Sequence, residues 1–182
     1  MKKVLFIVGS LREKSFNRQL ADLAASMLEG KVDISWLNYS SLPLINQDIE
    51  FPAPEEVTRV RNVVTEADAL WIFTPEYNFS YPGHLKNLLD WLSRPLKPMD
   101  YGTPTCMAGK KVFISGVGGK AETANCRGKL TELLTFIRAE VQEPQTGIAL
   151  IPECWASDTL LLTDEQRQVF ETQKEAFLKI MG

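Results

Sequence analysis

Apolar residues fall along the chain in two alternating rhythms. Nearly unbroken runs of strand length occur at Val4 to Val8, Val32 to Leu37, Ala69 to Phe73, Val112 to Ser115 and Gly147 to Ile151. Between them the apolar positions recur three and four apart, the spacing that lays one stripe along a helix. Phe16, Leu20, Leu23, Ala24, Met27 and Leu28 form the first stripe, with Gly30 placed to end it. Val57, Val60, Val63, Val64 and Ala67 form the second, and Leu85, Leu88, Leu89 and Leu92 the third, behind Pro82. Leu130, Leu133, Leu134 and Ile137 form the fourth. The last, Asp164 to Met181, opens on Thr163 as a cap, with acidic residues in its first turn.

Strands that are almost wholly apolar must be covered on both faces, and helices alternating with them supply the cover. The pattern predicts five βα units in one domain over residues 1 to 182, a three-layer α/β/α sandwich on a five-stranded parallel sheet. With five strands the flavodoxin-like order 2-1-3-4-5 is expected. In that order the chain reverses direction between strands 1 and 3, and ligands bind there, beyond the carboxyl ends of the strands. The loops after strands 1 and 3 are therefore where chemistry is expected. The proline-rich stretch Arg94 to Pro104 reads as a long surface loop.

Composition narrows the partners more than it changes the fold. A chain of 182 residues, 45% hydrophobic and 24% charged, suits one globular domain. Its net charge of -3 gives no basic field for a phosphate backbone, so no nucleic-acid partner is expected. The run Val4 to Val8 is too short to span a membrane and reads as a strand, so neither a membrane segment nor a signal peptide is expected. Cys106, Cys126 and Cys154 are odd in number, widely spaced and without CxxC or histidine partners. They point to a reducing, cytoplasmic compartment and no structural metal.

The loop after the first strand, Gly9 to Asn17, carries hydroxyls, an amide and two cations. Backbone N–H groups at a helix start are unpaired and carry positive partial charge, so a phosphate monoester gains several donors there. Ser10, Ser15 and Asn17 can add side-chain donors and Arg12 can neutralise charge. The same residues also suit a plain helix cap and a solvated arginine. Neither GxxxxGK[ST] nor GxGxxG is present, which disfavours a nucleoside triphosphate or NAD as the tightly held ligand and leaves a mononucleotide. The loop after strand 3, Thr74 to Gly83, is stiffened by Pro75 and Pro82 and carries Tyr77, Phe79 and Tyr81. It can border a flat heteroaromatic ring, although aromatic residues near a sheet end are also ordinary packing.

Together the segments GSLREKSFNRQLA and PEYNFSYPGHLKNLLDWLSR resemble the NADPH-dependent FMN reductase family, which includes quinone, azo-dye and chromate reductases. LPLINQD and the ADAL before strand 3 extend the resemblance, while the carboxyl-terminal third fits more loosely. The resemblance implies FMN, with its phosphate at Ser10, Arg12, Ser15 and Asn17, Phe16 beside them, and its ring bordered by Pro75, Glu76, Tyr77 and Asn78. Ser115, Gly116 and Gly119, after strand 4, are the expected third ring-side segment, or else a plain flexible turn. It also implies NADPH or NADH as hydride donor, a small-molecule electron acceptor and a homodimer or tetramer. No catalytic side chain is expected beyond Tyr77 as a pocket wall, because a bound flavin carries the hydride chemistry. His84, the only histidine, is expected to be structural or solvent-facing.

Three other classes share features of the pattern. A flavodoxin-type electron carrier has this fold and cofactor, but usually a phosphate loop without a cation and a more acidic chain; Arg12 and the charge of -3 oppose it. A phosphoacceptor receiver domain needs acidic residues around strand 1 and an aspartate ending strand 3, which Ile7 to Ser10 and Thr74 to Glu76 do not provide. A serine hydrolase needs GxSxG and a late histidine, and the chain has neither.

Overall fold

A computed structural model describes residues Met1 to Gly182. Strands β1 (Lys3–Val8), β2 (Asp33–Trp36), β3 (Ala69–Phe73), β4 (Lys111–Gly118), β5 (Glu140–Val141) and β6 (Thr146–Ala149) form one sheet. All of its pairings are parallel. Helices α1 (Phe16–Met27), α2 (Glu55–Glu66), α3 (Gly83–Leu92), α4 (Ala124–Phe136), α5 (Pro152–Ser157) and α6 (Asp164–Met181) connect and cover it. The order β2-β1-β3-β4-β5 is the expected one, with the switch between β1 and β3.

The fifth sheet position departs from the sequence pattern. It is shared by β5 and β6, which pair with the two ends of β4. From Val112 to Ser115 β4 advances three residues, while the facing chain spends five between Val141 and Thr146. After Gln142 N–H bonds the Val112 carbonyl at 2.8 Å, the surplus leaves the ladder around Glu143 to Gln145, where Pro144 has no N–H to give. A two-residue strand is too short to show as an apolar run. The α5 turn of helix was also not expected, and α1 ends at Met27, with Gly30 in a left-handed turn beyond it (φ 73°).

Period-two alternation within the apolar runs separates two different cores. Leu5, Ile7, Leu70, Ile72, Val112 and Ile114 face an aliphatic layer made with α2, α3 and α4. Phe6, Trp71, Phe73 and Phe113 face the other way, onto α1 and α6. Phe177 stacks on Trp71 and meets Phe113 edge-on, each with ring centroids 4.8 Å apart. The cap of α6 is reciprocal: Gln166 N–H donates to Thr163 Oγ1 at 3.2 Å and Thr163 N–H to Gln166 Oε1 at 3.1 Å.

His84 lies at the start of α3, half-buried, its ring stacked on Tyr39 at 5.7 Å. Burial lowers its pKa from 6.5, and a hydrogen bond with the Gly9 backbone partly offsets this. It is therefore structural, one of the two roles expected for it. Because folding disfavours the cation, the unfolded chain binds the proton more readily; stability is full above the unfolded value and falls as pH drops below about 6.5. The lowered carboxyls of Glu56, Asp68 and Asp100 act only at more acid pH.

Two outcomes follow from this packing. Phe177→Ala should cost about 3–5 kcal/mol, read as a lower urea midpoint with little change in slope. Between about pH 6.5 and pH 5 the wild type should lose stability, and His84→Phe should flatten that loss in urea titrations.

Candidate active site

Strands β1 and β3 end side by side, Val8 pairing with Phe73, and Phe73 pairs in turn with Ser115 of β4, which runs on to Gly118. Gly9 N–H continues that ladder to the Phe73 carbonyl at 2.7 Å, and Thr74 N–H to the Ser115 carbonyl at 2.9 Å. Thr74 is fully buried between two glycines. A Cβ on Gly9 would lie 2.8 Å from Thr74 Oγ1; one on Gly116 would lie 2.8 Å from the Thr74 carbonyl oxygen and collide with Thr123 Oγ1. Both positions need glycine for space.

A cavity of about 470 Å³ opens above this edge. From the β1 side it is lined by Ser10, Arg12, Ser15, Phe16 and Asn17, and from the β3 side by Pro75, Glu76 and Tyr77. Gly119 joins them beyond β4, with Val117 and Gly118. Its volume is within the range of small-molecule sites. Two hollows of similar size, of about 430 and 510 Å³, lie at the amino end of the strands and beside β2. Neither includes a residue of the loop after β3.

The start of α1 presents main-chain donors to the cavity. Ser15 caps the helix, its Oγ accepting from Arg18 N–H at 3.0 Å. The N–H groups of Phe16 and Asn17 belong to the first turn, where helical geometry provides no partner. Asn17 Oδ1 accepts from Val117 N–H at 2.9 Å and Nδ2 donates to the Val117 carbonyl at 3.1 Å. The amide, only 3% exposed, clips α1 to the end of β4. Besides the second Nδ2 hydrogen, the main-chain N–H of Asn17 is a donor these contacts leave over. Arg12 reaches across the opening: Nη1 donates to Asp158 Oδ1 at 2.8 Å, and the guanidinium carbon sits 5.3 Å from the centre of the Phe16 ring.

The β3 loop is held by contacts of its own. Glu76 accepts from Cys126 N–H at 2.9 Å and Asn125 Nδ2 at 3.2 Å, so it caps α4, whose Thr123 provides no side-chain cap. Tyr77 and Ser80 exchange main-chain hydrogen bonds of 2.8 and 3.0 Å around a two-residue turn. Both turn residues, Asn78 (φ 50°) and Phe79 (φ 59°), are left-handed. Such turns favour Asn or Gly; Phe79 there stores strain and stands 67% exposed.

Three expected positions fall elsewhere. Asn78 occupies the turn and does not line the cavity. Ser115 faces the aromatic core, completely buried, its Oγ accepting from Trp71 Nε1 at 2.9 Å and donating to Gln173 Oε1 at 2.6 Å. It is a structural residue, because β4 runs on to Gly118 and the alternation turns Ser115 inward. Gly116 serves the packing of Thr74 and Thr123. Burial pushes the Cys106 and Cys126 thiols up to about 11, so neither is a ready nucleophile.

Of the lining residues that sequence reading missed, Val117 and Gly118 belong to β4 and the others come from the far end of the chain. Leu150, Trp155 and Asp158 complete the cavity wall. Arg12 and Asp158 are 146 positions apart, and no local pattern links them. Ser115→Ala should lower stability by about 1–3 kcal/mol, because Trp71 N–H loses its buried partner. FMN uptake by the same variant should stay at the wild-type level, read by titrating the flavin-free protein with FMN.

The family profile described as NADPH-dependent FMN reductase matches residues 2–153. An NAD(P)H-dependent FMN reductase of Pseudomonas aeruginosa is 32% identical over 176 residues, spanning 96% of this chain and 92% of that protein. A quinone reductase of Escherichia coli K12 is 35% identical over 166 residues, spanning 80% and 83%. Among solved structures, the flavoenzyme NAD(P)H:(acceptor) oxidoreductase FerB of Paracoccus denitrificans superposes with a TM-score of 0.85 at 30% identity, covering 98% of this chain and 96% of that one. With the switch-point cavity in place and the match running through both of its loops, the chain belongs to the NADPH-dependent FMN reductase family.

Proposed function

We propose that the protein oxidises NADPH or NADH and passes the electrons through FMN to a small-molecule acceptor: a quinone, an azo compound, a metal oxyanion or free flavin. The observation that carries this reading is the single cavity shared by the capped start of α1 and the loop after β3. Its donor set fits FMN. The free N–H groups of Phe16 and Asn17, the Ser10 and Ser15 hydroxyls and Arg12 suit the phosphate. Pro75, Glu76, Tyr77 and Gly119 border the space left for the ring.

Held by these residues, FMN would supply hydride and electron transfer. The protein's part is to bind, orient and exclude water. Glu76 ties the β3 loop to α4, and Asn17 ties α1 to β4, so the two halves of the cradle are held by buried or half-buried clips. Tyr77, 49% exposed, forms a wall that leaves one side open. An open wall suits donor and acceptor in turn, and ping-pong kinetics with a broad acceptor range are the expected result. Neither His84 nor a cysteine lines the cavity, and Glu76, which does, is engaged in capping α4.

Relatives named quinone reductases support quinones as one acceptor class. No helix is long and apolar enough to cross a membrane. Exposed Leu44, Met99, Tyr101 and Phe136 offer apolar surface for a homodimer or tetramer.

The test is an anaerobic absorbance titration of the FMN-loaded protein with NADPH and, separately, NADH. Loss of the oxidised flavin band within seconds is expected, and the faster donor defines the preference. Flavin that binds yet stays oxidised would assign the protein to electron carriers of the same fold.

A further inference from the structure

The family profile ends at residue 153, yet two residues beyond it, Trp155 and Asp158, stand in the wall of the cavity. We propose that they complete the phosphate end of the FMN site: Asp158 as the positioning residue for Arg12, and Trp155 as a binding residue that closes that end. The inference rests on the FMN reading given above.

An exposed arginine on a loop samples many rotamers, and ordering it carries an entropic cost. Here two contacts order it in advance. Asp158 Oδ1 takes Nη1 at 2.8 Å, and the Phe16 ring supports the guanidinium from 5.3 Å. A guanidinium has five N–H donors in a rigid fork, so one bond to Asp158 leaves the others for phosphate oxygens. The carboxylate thus fixes the direction of the fork.

Asp158 is itself pinned. It follows α5 in the left-handed conformation (φ 51°). Its carbonyl accepts from Gln19 Nε2 at 3.1 Å, while Gln19 Oε1 accepts from Leu160 N–H at 2.7 Å. Gln19 belongs to α1, so the helix that offers free N–H groups also holds the segment that aims Arg12. Trp155 is anchored by one edge, meeting Phe16 at 5.4 Å and 83°, and is otherwise 65% exposed. A large aromatic ring left open at the rim of a cavity adds little to the fold, but covers a ligand seated beside Phe16.

The experiment is titration of flavin-free protein with FMN and, in parallel, with riboflavin, which lacks the phosphate. Variants are Asp158→Gly, which accepts the left-handed backbone without strain, Asp158→Asn, which still accepts a hydrogen bond, and Trp155→Ala. Asp158→Gly should raise the FMN dissociation constant about fivefold, the upper range for an exposed ion pair, and leave riboflavin affinity unchanged. Asp158→Asn should restore most of the loss. Trp155→Ala should weaken FMN roughly threefold or more. Unchanged or tighter FMN binding in Asp158→Gly would show an idle or competing carboxylate and overturn the proposal, as would an equal loss for riboflavin. A wild type that binds FMN separates these results from failure of the FMN reading, in which no flavin binds and both fall together.

Discussion

The site depends on how closely the ends of β1 and β3 can approach each other and the neighbouring β4. Thr74 sits buried at the end of β3 between Gly9 and Gly116, and neither neighbour has room for a side chain. This contact brings the β1 loop, the β3 loop and the turn after β4 to the same edge. Parallel pairing sets the register, and the two glycines let the main chains close up around Thr74. Widening the gap would separate the residues at the start of α1 from those of the β3 loop, although no ligand contact would have been removed directly.

Polar clips then hold each loop to the element behind it. Asn17 bonds the Val117 main chain through both its amide oxygen and its amide nitrogen, Glu76 caps α4, and Ser115 joins Trp71 to Gln173 across the sheet and α6. In a dry interior such bonds are valuable chiefly because leaving their groups unpaired is costly. Their consequence is a division of labour. Buried side chains fix shape, while the groups left for a ligand are main-chain donors and exposed tips, such as the Phe16 and Asn17 N–H groups, Arg12, Tyr77 and Trp155. A cofactor that brings its own chemistry needs this kind of cradle, with geometry and charge placement and few reactive side chains. Half-buried His84, with its lowered pKa, and the raised thiols of Cys106 and Cys126 are consistent with that division.

Much of this was legible in the sequence, because the relevant signals are local. Unbroken apolar runs alternating with helical stripes imply a covered parallel sheet, and the sheet order places ligands at the loops after strands 1 and 3. Those loops do line one cavity, from Ser10 to Asn17 and from Pro75 to Tyr77. The errors lay where one residue of register decides the outcome. Ser115 reads as a loop residue if β4 stops there, but as a core residue once β4 continues to Gly118. Likewise β5 is two residues long, and only its partner on β4 makes it a strand.

The sequence by itself determined the layers, the strand order and the two ligand loops, since periodicity and turn chemistry act over a few neighbouring residues. Only the tertiary structure decided which face Ser115 takes, that Gly116 packs against Thr74, and that the amide of Asn17 clips α1 to Val117. It alone brought Trp155 and Asp158 to Phe16 and Arg12. Contacts across 146 residues leave no periodic trace in one chain; they exist because the sheet and its covering helices fold the carboxyl-terminal segment back over the start of α1.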